Sequence, residues 1–207
     1  MSKQITYTKN LPHILPAGAI YFVTFRLYGS IPFAKLNDLK VKFEFEKSNS
    51  KSDEERNFLS QQYYQNKDKL LEQIDNGPQY LTNPFVSSIL KEQMHKHDNC
   101  YYDLMCYCIM SNHVHILLDT SIQLNSEKAY VPLFKILKQI KGASSYLANK
   151  LLNRTGTFWM DESYDHYIRT DEELANIQSY ILENPVKAKL VLGWRDWPNT
   201  FCKYPPD

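Results

Sequence analysis

The stretch YYDLMCYCIMSNHVHILLD, Tyr101 to Asp119, decides how the chain folds. It reads as two strands joined by Ser111-Asn112, a two-residue connection that implies an antiparallel hairpin. In the second strand His113 and His115 flank Val114, and because side chains alternate with period two, both imidazoles project from one face. A hydrophobic strand seldom spends two positions of one face on histidine when leucine or valine would pack better. The pair reads either as a couple that closes on a metal ion or as two hydrogen-bonded core histidines. With this turn, Met110 faces His113 and Cys108 faces His115, with Cys106 on the same face. A structural zinc site of Cys106, Cys108, His113 and His115 is therefore a rival. Against it, four ligands along one line suit a tetrahedron poorly, and both cysteines are ordinary small core residues.

Upstream, Tyr21 to Leu27 (YFVTFRL) is a strong strand, with Tyr21, Val23 and Phe25 on one face and Phe22, Thr24 and Arg26 on the other. It is expected at the centre of a sheet. Asn37 to Ile74 is charged and helical in period, broken by a polar loop at 48–53, and with its exit forms a helical insert over 37–80. Its charges (Glu54, Glu55, Lys67, Asp68, Lys69, Glu72) read as a solvated face with no chemistry. Asn83-Pro84 opens a helix that runs to about His97, with Val86, Ile89, Leu90 and Met94 inward; His95 and His97 read as exposed.

Downstream, Pro132 to Asn153 is a helix with Leu133, Ile136, Leu137, Ile140, Ser144, Leu147 and Leu151 as its buried stripe. Between Leu133 and Phe158 the chain carries Lys135, Lys138, Lys141, Lys150 and Arg154 and no acidic residue. This stretch either tracks a phosphate backbone or is a solvated helix face. Tyr164 to Arg169 reads as a fourth strand or extended edge. Thr170 caps a helix that starts at Asp171, with Glu173 completing a capping box, and Pro185 is expected to end it just after Asn184. Residues 191–207 read as an irregular tail packed by aromatics.

One domain spanning 1–207 is expected, of the α+β class, with the element order of a split βαβ unit. The chain is 43% hydrophobic and 23% charged, with 15 tyrosines and 10 phenylalanines, which can fill a real core in a soluble protein. A net charge of +1 offers no compositional reason for a nucleic-acid partner and does not exclude one. The four cysteines form no disulfide framework, and the apolar segment Ile14 to Phe25 is short and broken by Pro16 and Gly18. A cytoplasmic protein without a membrane partner is expected.

Tyr180 and Asn184 lie four apart on the last helix, hence on one face. An amide oxygen can join two imidazoles around a hard divalent ion, leaving positions open for water and a phosphate oxygen. A phenol one turn away could attack that phosphate. Tyr180 also reads as one more helix-surface tyrosine.

The motifs Leu11-Pro12-His13, YFVTFRL (21–27), MSNHVHILL (110–118), Phe158-Trp159, SYDHYIR (163–169) and YILENPVKA (180–188) occur in order over nearly the whole chain. In this combination the sequence resembles the REP-associated tyrosine transposases, single-tyrosine members of the HUH transposases. The resemblance implies a ferredoxin-like antiparallel sheet with helices on one face. It implies nicking and rejoining of single-stranded DNA, often beside a hairpin, through a 5′-phosphotyrosine. His113, His115 and Asn184 then match the ligands of Mg2+ or Mn2+, and Tyr180 the nucleophile. Arg26, Lys138, Lys141 and Arg154 are the candidate DNA contacts. Single-stranded or hairpin DNA is the expected partner, and a homodimer is an arrangement to be tested. The chain departs from the usual pattern at Ser111, where proline is common, and at Lys189, where glycine is common. A hairpin-binding protein that no longer cuts is the alternative. The sharpest geometric expectation is that Tyr180 and Asn184 meet the histidine face of the sheet.

Overall fold

The expected hairpin forms, and a five-stranded sheet is assembled around it. The computed structural model describes residues 4–8, 12–73 and 77–206. In chain order its elements are β1 (Gln4–Thr8), β2 (Pro12–Pro16), β3 (Ile20–Arg26), α1 (Phe33–Asn49), α2 (Asp53–Gln73), α3 (Pro84–His95), β4 (Asp103–Ile109), β5 (His113–Asp119), α4 (Leu133–Leu151), β6 (Tyr164–Tyr167), α5 (Asp171–Lys187) and β7 (Thr200–Cys202). The sheet order is β6-β3-β5-β4-β7 with every pairing antiparallel, so β3 and β4 run parallel with β5 between them. That is the split βαβ arrangement. The two-residue turn is closed by the Met110 N–H donating to the His113 carbonyl at 2.9 Å. Cys108 pairs with His115 as the turn predicts.

Alternation along β3 divides the protein into two layers. Tyr21, Val23 and Phe25 pack with Val86, Leu90 and Met94 of α3 and Ile136 and Ile140 of α4. Phe22 points the other way and packs with Cys106, Cys108, Leu117, Ile181 and Leu182. Helices on one face therefore describes the two crossover helices only; α5 covers the opposite face. The reason lies in Phe22 of β3 and Leu117 of β5, which lie on the other face and would be exposed without a second cover. In α4, Leu147 and Leu151 are exposed rather than inward, and Ala148 takes the buried position. His97 is half-buried and stacks on Tyr101, with ring centroids 4.8 Å apart.

Three further boundaries differ from expectation. β1 and β2 form a separate antiparallel hairpin ahead of the sheet, though Leu11 of the Leu-Pro-His motif and the helix stop at 74–76 lie outside the described residues. Within the expected irregular tail, β7 pairs with β4 and extends the sheet by a strand, and the Trp197 indole N–H donates to the Ile109 carbonyl at 3.0 Å.

The third boundary is the end of α5, which does not stop at Asn184. Pro185 is buried inside the helix, which runs on to Lys187. The final turn is held by the Leu190 N–H donating to the Pro185 carbonyl and the Lys189 N–H donating to the Val186 carbonyl, both at 2.9 Å. This is a Schellman closure, with Lys189 in the left-handed region at φ 58°.

The insert begins at Phe33 and is two helices that pack on each other, Phe43 stacking on Tyr63 at 4.6 Å between ring centroids. It does not carry only a solvated face. Lys67 is buried and its Nζ lies 3.4 Å from Glu162 Oε2. Asp68 reaches the candidate site described next. Lys69 is exposed, as expected, while the side chains of Glu54 and Glu72 lie outside the described residues.

Candidate active site

His113 and His115 sit side by side at the head of β5, with ring centroids 4.8 Å apart and both side chains wholly buried. Each is held through Nδ1. His113 Nδ1 lies 2.6 Å from Asn112 Oδ1, while Asn112 Nδ2 donates to the Leu71 carbonyl of α2 at 3.1 Å. A carbonyl can only accept, so the amide nitrogen must face Leu71 and the amide oxygen must face His113. His113 Nδ1 therefore carries the proton, and its Nε2 presents a lone pair. His115 Nδ1 lies 2.8 Å from Thr24 Oγ1, a hydroxyl that serves with either tautomer and fixes the ring plane. Burial pushes the His113 imidazole down to about 3. Burial, aided by neighbouring His113, takes His115 well below its usual range. Both are neutral at physiological pH, as metal ligation by imidazole requires.

α5 brings its own residues to this face. The Thr170 hydroxyl accepts from the Glu173 N–H at 3.1 Å, and the Glu173 carboxylate accepts from the Arg169 N–H at 2.8 Å. The reciprocal bond of the expected capping box thus falls one residue earlier, on Arg169. One face of the helix then presents Tyr180, Ile181 and Asn184. The Tyr180 ring meets His115 edge-on at 5.4 Å between centroids and Phe22 at 6.1 Å. Asn184 is wholly buried one turn further on. Tyr180 thus faces the histidines of its own chain.

Among the described residues, the buried side-chain nitrogen and oxygen atoms without a hydrogen-bond partner are His113 Nε2, His115 Nε2, Asn184 Nδ2 and Asn184 Oδ1. A partnerless buried polar group costs about 1–3 kcal/mol, and such groups rarely persist without a use. Two neutral imidazole nitrogens and an amide oxygen fit a divalent cation that accepts mixed nitrogen and oxygen donors. The zinc rival is not assembled: no group of three or more His, Cys, Asp or Glu able to hold a metal occurs among the described residues. Cys108 Sγ instead lies 3.6 Å from Met110 Sδ and 3.7 Å from the Thr200 hydroxyl. Burial raises both the Cys106 and Cys108 thiols, Cys108 to about 12, which disfavours thiolates.

Tyr180 also lines an open cleft of about 610 Å³ together with Asp68, Tyr164, His166 and Arg169. Its phenol donates to Asp68 Oδ2 of α2 at 3.2 Å. Sequence reasoning missed Asp68, because a carboxylate on a charged helix carries no local mark of its destination.

The expected DNA contacts separate. Arg26 is only 4% exposed, and its guanidinium donates to Ser30 Oγ at 3.0 Å, so it belongs to the interior. The Lys141 ammonium donates to the carbonyls of Met160 and Asp161 at 2.7 and 2.9 Å, pinning the 160–163 loop to α4. Arg154 donates to Asn149 Oδ1 at 2.7 Å and stacks over Tyr80 at 4.7 Å from the ring centroid. Lys138 is exposed on the wall of a second cleft, of about 630 Å³, between α4 and the 157–163 segment. No helix among the described residues is long and apolar enough to cross a membrane.

The fold is that of an α+β domain built on a split βαβ sheet. A family model described as "Transposase IS200 like" matches residues 76–184, more than half of the chain. The chain belongs to that family, and its function is of the transposase type. A Haemophilus influenzae protein assigned to the REP-associated tyrosine transposases is 25% identical over 127 residues, covering 60% of this chain and 72% of the relative. A solved REP-associated tyrosine transposase bound to a REP hairpin superposes with a TM-score of 0.58 over 93% of this chain and 82% of that one. Identity to it is 14%, so this likeness is one of fold. The family match begins beyond the described part of α2, leaving β1 to β3 and both inserted helices, α1 and α2, outside it.

Proposed function

We propose that this chain is a metal-dependent enzyme that nicks and rejoins single-stranded DNA beside a hairpin, using Tyr180 as nucleophile. The observation that carries the reading is the set of four partnerless buried atoms on His113, His115 and Asn184, together with the Tyr180 ring against His115. Those three residues would hold Mg2+ or Mn2+, which when bound supplies Lewis-acid polarisation of the scissile phosphate. Asn112 and Thr24 keep the two imidazoles oriented, and burial keeps them neutral. The Tyr180 phenolic oxygen attacks phosphorus, forming the Tyr–O–P bond as the bond from phosphorus to the 3′ oxygen breaks. The products are a 5′-phosphotyrosine and a 3′ oxygen that takes a proton from water. Rejoining reverses the step with a 3′-hydroxyl as attacker, so the bond energy is conserved and no nucleotide cofactor is needed. A hairpin substrate is favoured because a relative of the same fold is bound to one.

The test is incubation with single-stranded oligonucleotides that carry a hairpin, including DNA flanking the gene, in the presence of Mn2+. A covalent protein–DNA adduct that survives denaturing electrophoresis is expected for the wild type and absent for Tyr180→Phe. No adduct on any such substrate removes the mechanism.

A further inference from the structure

The contact between Tyr180 and α2 joins the nucleophile to a helix that lies outside the family match. We propose that Asp68 takes the phenolic proton of Tyr180 as the phenol attacks phosphorus, which makes the inserted helix α2 part of the active site. This rests on the strand-transfer reading above.

Asp68 Oδ2 accepts from the Tyr180 phenol at 3.2 Å, a reach from which a carboxylate can receive that proton. Both residues line the same open cleft, so the contact leaves the phenol accessible to an incoming phosphate. Nearby Lys187, 5.0 Å from the Tyr180 ring centroid, is a cation and cannot accept a proton.

The register of α2 is fixed on both sides of Asp68. Lys67 turns inward to Glu162 at 3.4 Å, and the Leu71 carbonyl receives the Asn112 amide at 3.1 Å. Asn112 is the residue that orients His113. One helix therefore touches the nucleophile directly and a metal-site histidine through a single amide. An insert used only for packing has no need to aim a carboxylate at the reacting atom.

In the forward step the phenolic hydrogen passes to Asp68, the phenolic oxygen bonds to phosphorus, and the 3′ oxygen leaves and is protonated by water. In rejoining, the 3′-hydroxyl proton goes to water, and protonated Asp68 returns its proton to the departing phenolate.

The test uses the full chain, Mn2+ and a single-stranded oligonucleotide carrying a hairpin from DNA flanking the gene. Single-turnover adduct formation and release are measured, with binding of the same oligonucleotide in chelator measured separately. Asp68→Asn keeps an oxygen that can accept the phenol's hydrogen bond but cannot take its proton; Asp68→Ala removes both. Both variants are expected to slow adduct formation by about 10²- to 10⁴-fold, with release slowed in parallel. Binding and thermal unfolding of Asp68→Asn should match the wild type, and Asp68→Glu should recover part of the rate. A wild-type rate for Asp68→Asn overturns proton transfer, and the near-isosteric amide keeps that result available should Asp68→Ala fail to fold. A wild type that forms no adduct sinks the strand-transfer reading and this inference together. An active wild type matched by an equally active Asp68→Asn sinks this inference alone.

Discussion

The two faces of the sheet are built to opposite rules. Toward α3 and α4, the buried side chains are apolar or fully matched: the Trp159 indole donates to Ser144 Oγ at 3.0 Å, which in turn donates to the Ile140 carbonyl at 2.6 Å. Toward α5, the same strands present two imidazoles, and α5 adds an amide, with the partnerless atoms of the described residues gathered there. The first face holds the chain together. The second leaves buried polar atoms unmatched, at a cost in stability.

The largest expected difference comes from one substitution on each face. Ile116 is wholly buried against α3 and α4, and Ile116→Ala should cost about 2–5 kcal/mol in denaturant unfolding. Asn184 is equally buried, yet Asn184→Leu removes an amide with no partner to lose, and is expected to leave stability unchanged or raise it by up to about 2 kcal/mol. A loss of several kcal/mol at Asn184 would mean that its amide is matched within the protein, and the contrast would collapse.

A smaller effect sharpens the contrast from the ligand side. Mn2+ at a hundred times its dissociation constant should stabilise the wild type by about 2.7 kcal/mol, read as a rise in melting temperature. His113→Ala and Asn184→Leu should abolish the rise, whereas a variant of the apolar face such as Ile116→Val should keep it. Equal rises in all of them would place the ion elsewhere.

How far this contrast was legible in the sequence depends on the range of the forces involved. The β4–β5 hairpin is local: period two and a two-residue turn suffice for its register, including Cys108 opposite His115. The placement of Tyr180 and Asn184 one turn apart on α5 was legible through helical spacing. β7 was not, because three residues make a strand only when a sheet edge lies beside them. Arg26 reads as a surface cation in any one-dimensional view, yet its strand is covered by protein on both sides. Pro185 shows a local rule outweighed by context: the residue before it stays helical because the turn beyond is closed by two backbone bonds and Asn184 and Pro185 are buried against the sheet. Asp68 belongs to the same class, its meaning set wholly by where α2 docks.

The smallest prediction concerns how α5 is held while its buried face carries an unmatched amide. The N-terminal end is capped by Thr170 and Glu173, and the C-terminal end by the Schellman closure around Lys189. At φ 58° a residue with a Cβ is strained by about 1–2 kcal/mol relative to glycine, part of which glycine returns through the greater freedom of its unfolded chain. Lys189→Gly should therefore stabilise by about 0.5–1 kcal/mol, a rise of about 1–4 °C in melting temperature for a domain of this size. Because the substitution leaves His113, His115 and Asn184 untouched, the Mn2+-induced rise should persist in full. Destabilisation instead would show that the Lys189 side chain, and not the backbone closure, secures the end of the helix. The unmatched amide would then depend on a weaker anchor than the two 2.9 Å backbone bonds now provide.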